Sequence, residues 1–348
     1  DRGAFAVSSV RGAVNRWPVG AVLATALAFG AAAQPREQAL DATQATQWLS
    51  RMHTAARQAN YQGTLVVSRG GQMMSSRVAH FCEGSQSFER VDVLDGQSRH
   101  VLRHNDQVLT VWPAQRTATL EERQGASTAA GPQGVDARLL AHYDVFAEGP
   151  SRVAGHDATM LLLRPRDSWR FAQRLWLEQA SGLVLRTDVI ASDGRVLEST
   201  AFSDVALAVK PQPQQITAPM KRLEGLRVVK SASSRTALEA EGWRMKSPPP
   251  GFHSVSCVRR TWRAEPRTGT PAEQLDHPVL QAIYSDGLTH VSLFLEPQRT
   301  DRQRPTGVMA TGATHTLMTV VGAHEVTVIG DVPPATLKEF ANALERVR

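Results

Sequence analysis

Between Tyr61 and Phe202 the chain alternates short runs of branched, aromatic and polar residues with two-residue turn signals. Runs such as GTLVVSR, SFERVDV, ATMLLLR, RLWLE, LVLRTDVI and RVLESTAF are punctuated by Asp95-Gly96, Asn105-Asp106, Ser181-Gly182 and Asp193-Gly194. Gly and Asn tolerate the positive φ that tight hairpins demand, so the pattern reads as one long antiparallel sheet. In YQGTLVVSR the alternation puts Gly63, Leu65 and Val67 on one face and Thr64, Val66 and Ser68 on the other. Both faces carry apolar groups, more than a half-solvated strand needs, which suits a curved sheet with something packed inside it. The cover is expected from a helix over 37–59, where Leu40, Ala45, Trp48, Leu49, Met52, Ala56 and Ala59 make one apolar stripe. A short helix over Val135–Phe146 is the second candidate.

At 348 residues the chain exceeds a comfortable single core. Residues 208–218, rich in Pro and Gln, lose the strand pattern and read as a stiff linker. The expected organisation is a signal region over 1–33, a β-sheet domain over 34–205, a linker over 206–222 and a small α+β domain over 223–348. In the last of these, HSVSCVRRTW and HPVLQAIYSDGLTHVSLFLE read as strands, the latter turning at Asp286-Gly287. Residues 313–321 and 324–330 read as a hairpin, and 335–347 as a closing helix with Leu337, Phe340, Ala341, Leu344 and Val347 on one face. Residues 220–245 give no clean stripe. The fold class is therefore a two-domain mixed α/β chain: a curved antiparallel half-barrel with helices, followed by a small α+β domain.

The destination is read from Arg11–Ala33, where Arg11 and Arg16 precede an apolar core and a Gly30-Ala31-Ala32-Ala33 stretch, the layout of a secretory signal cleaved after Ala33. The apolar run is short of the roughly 20 residues a membrane span needs. In an oxidising compartment a bridge between Cys82 and Cys257 is permitted and would tie the two domains, although a buried free thiol is the commoner fate of such strand cysteines.

The chemistry points to binding. Eleven histidines occur, but no HExxH, HxH or Cys-His cluster forms a metal site, so neither metal nor cofactor is expected. There is no GxSxG elbow, no Walker loop and no dinucleotide fingerprint, and Glu121-Glu122 are adjacent rather than paired across a cleft, so no catalytic residue is assigned. The formal net charge of +6 fits an anionic partner, but the basic residues are spread along the chain, which argues against nucleic acid. Arg164, Arg166 and Arg170 beside Trp169 make a candidate anion loop, with an ordinary solvated hairpin tip as the alternative. Trp48, Met52, Leu65 and Val67 are the candidates for an apolar cavity.

Four short motifs in order carry a resemblance: Tyr143-Asp144, Pro249-Pro250-Gly251-Phe252, Tyr284-Ser285-Asp286-Gly287-Leu288 and Gly330-Asp331-Val332-Pro333-Pro334. With them the chain resembles the MucB/RseB family of periplasmic regulators of envelope-stress sigma factors. The resemblance implies a lipoprotein-carrier-like first domain around an apolar cavity and a smaller second domain. It implies a chain that grips the periplasmic region of a membrane-anchored anti-sigma factor, shields it from site-1 proteolysis and lets go when lipopolysaccharide or another lipid-bearing molecule binds. Residue type then nominates Arg259, Arg260, Tyr284, Phe294, Arg302 and Arg304 as partner contacts, because Tyr, Phe and Arg are favoured at interface centres. A lipid or lipoprotein carrier is the rival reading, and a homo-oligomer stays open.

Overall fold

A computed structural model describes residues 39–122, 137–264, 273–298 and 306–347. The signal segment, Arg299, Arg302 and Arg304 lie outside them. The first helix, α1 (Ala42–Gln58), begins later than the stripe suggests because Asp41 caps it: the Asp41 carboxylate accepts from the Gln44 N–H at 2.8 Å, and the Gln44 side chain accepts from the Asp41 N–H. Ahead of the cap, Ala39 bridges to Phe146.

The strands follow in order: β1 (Tyr61–Arg69), β2 (Gln72–Glu83), β3 (Gln86–Val93), β4 (Arg99–His104), β5 (Gln107–Trp112) and β6 (Thr117–Glu122). After the undescribed stretch come β7 (Tyr143–Val153), β8 (His156–Pro165), β9 (Ala172–Glu178), β10 (Val184–Ile190) and β11 (Val196–Leu207). All four turn pairs named from the sequence sit between consecutive strands of this set, and Asn105 takes the positive φ expected of it, 52°. The expected helix over Val135–Phe146 is only a 3-10 turn at Ala137–Ala141, because Tyr143–Phe146 pair with β8 instead.

Within the expected linker, β11 runs on to Leu207 and residues 214–220 form a short helix, α2 (Gln214–Met220). Ile216 of α2 is fully buried against Phe81, Phe88, Leu102 and Leu109, so this Pro-rich stretch is packed on the sheet. Then follow β12 (Arg227–Arg235), β13 (Trp243–Met245), β14 (His253–Ala264), β15 (Glu273–Ser285), β16 (His290–Pro297), β17 (Gly307–Thr311), β18 (Thr314–Val321) and β19 (His324–Gly330). The closing helix α3 (Pro334–Ala343) stops four residues short of the expected span. Leu344 leaves it to start β20 (Leu344–Arg346), which pairs with β13.

The pairings join eighteen of these strands edge to edge: β7–β8–β9–β10–β11–β1–β2–β3–β4–β5–β6, then β12–β14–β15–β16–β19–β18–β17. The link is β6 with β12, Arg227–Lys230 lying beside Thr117–Leu120, and it is the one parallel pair among the described strands. The core lies in layers. Leu49 and Met52 of α1 pack on Val145, Leu161, Leu163, Leu175 and Leu177, and Ala55 on Tyr61, Val78, Trp176 and Phe202. In the second domain Leu337 and Phe340 of α3 pack on Leu293, Leu295, Val326 and Val328. The architecture is mostly sheet, open and curved, in two domains. No described helix is long and apolar enough to cross a membrane.

Candidate functional site

The four motifs, spread over nearly 200 positions, meet at one seam between the two domains. Tyr143 starts β7, and its hydroxyl donates to Asp286 Oδ2 at 3.0 Å. Arg170, just ahead of β9, sends one guanidinium nitrogen to the same Asp286 oxygen at 3.0 Å and another to the Pro250 carbonyl. Its Nε donates to Asp167 at 3.1 Å. The guanidinium stacks over Phe252, 5.1 Å from the ring centre, and Tyr143, 5.6 Å away. Both side chains of the Arg170–Asp286 pair are 0% exposed.

Asp286 is held for this role by its own turn: its second oxygen accepts from the Leu288 and Thr289 N–H groups at 2.9 and 2.8 Å. The same turn inserts Leu288 into the buried cluster of Leu49, Leu139 and Tyr143, so a residue of the second domain completes the core of the first. Gly251 lies against His142, where an added Cβ would come within 2.5 Å of the imidazole Nε2. Thr336 of α3 donates to the Trp169 carbonyl at 2.8 Å, and Thr289 to that of Asp331 at 3.4 Å. Burial, reinforced by the Asp286 charge, drives the Tyr143 hydroxyl well above the usual phenol pKa. Burial, with Arg170 nearby, pulls His142 below the ordinary imidazole value, and burial does the same to His290. Further along the seam, Arg260 reaches back across β12 to Glu121 at 3.1 Å.

The nominated residues fall differently from their sequence placing. The Arg164–Arg170 loop does not gather three guanidinium groups around an anion. Arg164 lies over the Phe146 ring at 4.5 Å and Arg166 binds Asp144 at 2.7 Å, while Arg170 is enclosed in the seam. Trp169 is half-buried and contributes its backbone carbonyl there. Met52 is 1% exposed and fills the core, Trp48 packs at its margin under Arg51, and Leu65 and Val67 are half-buried on the α1 face. Two of the four cavity candidates, Trp48 and Met52, are thus part of the core that α1 makes with the sheet.

Of the partner-contact candidates, Tyr284 is a core residue against Phe340, its hydroxyl pushed up to about 12 by burial. Arg260 is tied into the seam. Arg259 is exposed and paired with Glu241, and Phe294 is half-buried on the sheet face opposite Leu293 and Leu295. Cys82 and Cys257 are free thiols, and burial raises both, Cys257 to about 11. Among the described residues no group of His, Cys, Asp or Glu is arranged to hold a metal.

Comparison with known proteins assigns both sides of the seam to one family. The MucB/RseB N-terminal domain matches residues 44–220 and the MucB/RseB C-terminal domain residues 237–345. The chain belongs to the MucB/RseB family. Among curated MucB/RseB relatives, the sigma factor AlgU regulatory protein MucB of Pseudomonas aeruginosa is 29% identical over 317 residues, 89% of this chain and 92% of that protein. The sigma-E factor regulatory protein RseB of Escherichia coli K12 is 25% identical over 303 residues, 85% and 89% of the two chains. Among solved structures, the Pseudomonas aeruginosa MucA/MucB complex contains a chain 26% identical to this one, with a TM-score of 0.63, matched over 88% of this chain and 99% of that one. The seam is therefore the junction of the two MucB/RseB domains.

Proposed function

We propose that this chain is a non-enzymatic regulatory binding protein of the periplasm. It grips the periplasmic region of a membrane-anchored anti-sigma factor, protects it from site-1 proteolysis and so restrains an envelope-stress sigma factor. The carrying observation is the match across both domains to MucB as it occurs in the MucA/MucB complex, over 99% of that chain. The curated relatives, named as regulators of sigma factors, support the same reading. Residues 223–348 supply the grip in this proposal, with exposed Arg259 and half-buried Phe294 as contacts, joined by Arg302 and Arg304 shortly after Phe294 in sequence.

Release by lipopolysaccharide or another lipid-bearing ligand completes the proposal. Because Met52 and Trp48 are packed into the core with Leu161, Leu163 and Leu175, an acyl chain that takes their place must displace α1, which couples lipid binding to a change of conformation. Calorimetry of the full chain with the periplasmic segment of its cognate anti-sigma factor, with and without a lipopolysaccharide fragment, tests both parts. Submicromolar binding weakened by the lipid is expected. Absence of binding, together with tight uptake of acyl chains or lipoprotein, would replace this reading by that of a carrier.

A further inference from the structure

A cavity of about 480 Å³ opens on the face of the sheet that alternates away from Tyr61 and Leu65. Four cross-strand neighbours form one row along it: Asp204 on β11, Thr64 on β1, Arg77 on β2 and Asp92 on β3. The next row is Ala206, Gln62, Ala79 and Arg90, small at two of its four places. Asp92 is already engaged, paired with Arg90 Nε at 2.8 Å and hydrogen-bonded to the His100 ring at 2.7 Å, and Arg90 is further pinned to the Gln215 carbonyl at 3.1 Å. Two opposite charges remain to face the cavity. Arg77 and Asp204 are both exposed, and neither forms an ion pair among the described residues; Asp204 accepts only the Ser203 hydroxyl there, at 3.2 Å.

The backbone is shaped to present Asp204. Thr64 opposes Asp204 while Leu65 opposes Phe202, so Ser203 is an extra residue in β11. Such a bulge reverses the alternation, leaving Phe202 in the core and turning Asp204 to the cavity. At Gly63 the strands approach so closely that an added Cβ would collide with the Asp204 carbonyl oxygen.

Arg77 and Asp204 stand two strands apart, about 10 Å between backbones. Thr64 lies between them in the same row and Gln62 beside it in the next, and both line the cavity. An extended dipeptide spans about 7 Å. We propose that this cavity binds a short peptide of small residues with both termini free. Asp204 takes the terminal ammonium, Arg77 the carboxylate, and Thr64 and Gln62 the central amide, with Ala79 and Ala206 leaving room for methyl side chains.

The dipeptide Ala-Ala is the probe, titrated into the full chain and followed by ligand-observed NMR and calorimetry. Saturable binding in the millimolar range or tighter is expected. Amidating the carboxylate or acetylating the amine of the peptide, or introducing Arg77→Gln or Asp204→Asn, each weakens it about tenfold or more, the loss that follows removal of a hydrogen bond to a charged group. No saturable binding, or binding indifferent to capping of both termini, overturns the proposal. The capped peptides are titrated into the unaltered chain, so the outcome is decisive even if a variant misfolds.

Discussion

Asp286 is the buried charge at the centre of the contact between the two domains, and its removal has a calculable cost. In Asp286→Ala the Arg170 guanidinium keeps only Asp167 as a carboxylate partner, the Tyr143 hydroxyl loses its acceptor, and the Leu288 and Thr289 N–H groups lose theirs. Breaking one side of a buried ion pair costs about 3–5 kcal/mol, chiefly because the surviving charge stays desolvated. Asp286→Asn keeps one oxygen to accept from the turn N–H groups but sets its NH2 where Tyr143 and Arg170 donate; the Tyr143 hydroxyl can accept from that NH2, so the loss is smaller than for Asp286→Ala. The double variant Arg170→Met, Asp286→Asn removes the stranded guanidinium as well and recovers most of the stability, since an apolar group of similar length fits between Tyr143 and Phe252. Urea unfolding followed by Trp fluorescence and by far-UV dichroism, with both probes compared for coincidence, measures all three. A loss below about 1 kcal/mol for Asp286→Ala, or a double variant no better than Asp286→Asn, would refute this reasoning.

Three further outcomes follow from neighbouring contacts. Gly251→Ala meets both a positive φ of 85° and the His142 ring at 2.5 Å, so it destabilises the seam by more than about 1 kcal/mol, read from the shift of the urea midpoint. His142 and His290 titrate below the ordinary imidazole value, so the stability tied to their neutral forms is complete above about pH 6.5 and declines as pH falls through it. The double variant His142→Gln, His290→Gln should flatten that decline, and an unchanged slope of unfolding midpoint against pH would discount the pair. Glu198 is raised by burial and by Asp331, and its Oε2 has no hydrogen-bond partner among the described residues. Its ionisation therefore costs stability as pH rises through the folded pKa. Glu198→Gln should raise the melting temperature at pH 7, with the gain vanishing below the usual carboxylate pKa.

Local signals in the sequence located most elements, because turn chemistry and periodicity act over a few residues. Asp95-Gly96, Asn105-Asp106, Ser181-Gly182 and Asp193-Gly194 require particular backbone angles wherever they occur, and the Leu49–Met52 stripe marks a buried helix face in any context. The misplaced ends came from tertiary competition. Leu344 and Val347 extend the helical stripe of α3, yet Leu344 is drawn into pairing with Met245, and Tyr143–Phe146 are captured by β8. The seam could not be read from residue type. Arg170 sits in a stretch rich in charge and looks solvated, and only the arrival of Asp286, 116 positions away, makes its burial tolerable. Tyr284 likewise has the composition of an interface residue but the surroundings of a core. Order along the chain was more informative: Tyr143, Pro250, Gly251 and Asp286, all from the four motifs, lie at the domain junction. The Ser203 bulge has no sequence signature, so the cavity it shapes was invisible.

The parallel pairing of β6 with β12 also bears on how the protein is made. Parallel neighbours cannot be joined by a tight turn, and here the whole of β7 to β11 and α2 lies between them in the chain. During synthesis from the N-terminus, β6 is complete long before β12 exists, and its outer edge stays a row of unpaired N–H and C=O groups in the meantime. Such an edge is a template for pairing with other chains. A fragment ending at the domain junction would keep that exposed edge permanently, and a fragment beginning there would leave the matching edge of β12 open. Each domain thus acts as the other's safeguard against aggregation, and truncation at the junction should be paid for in solubility.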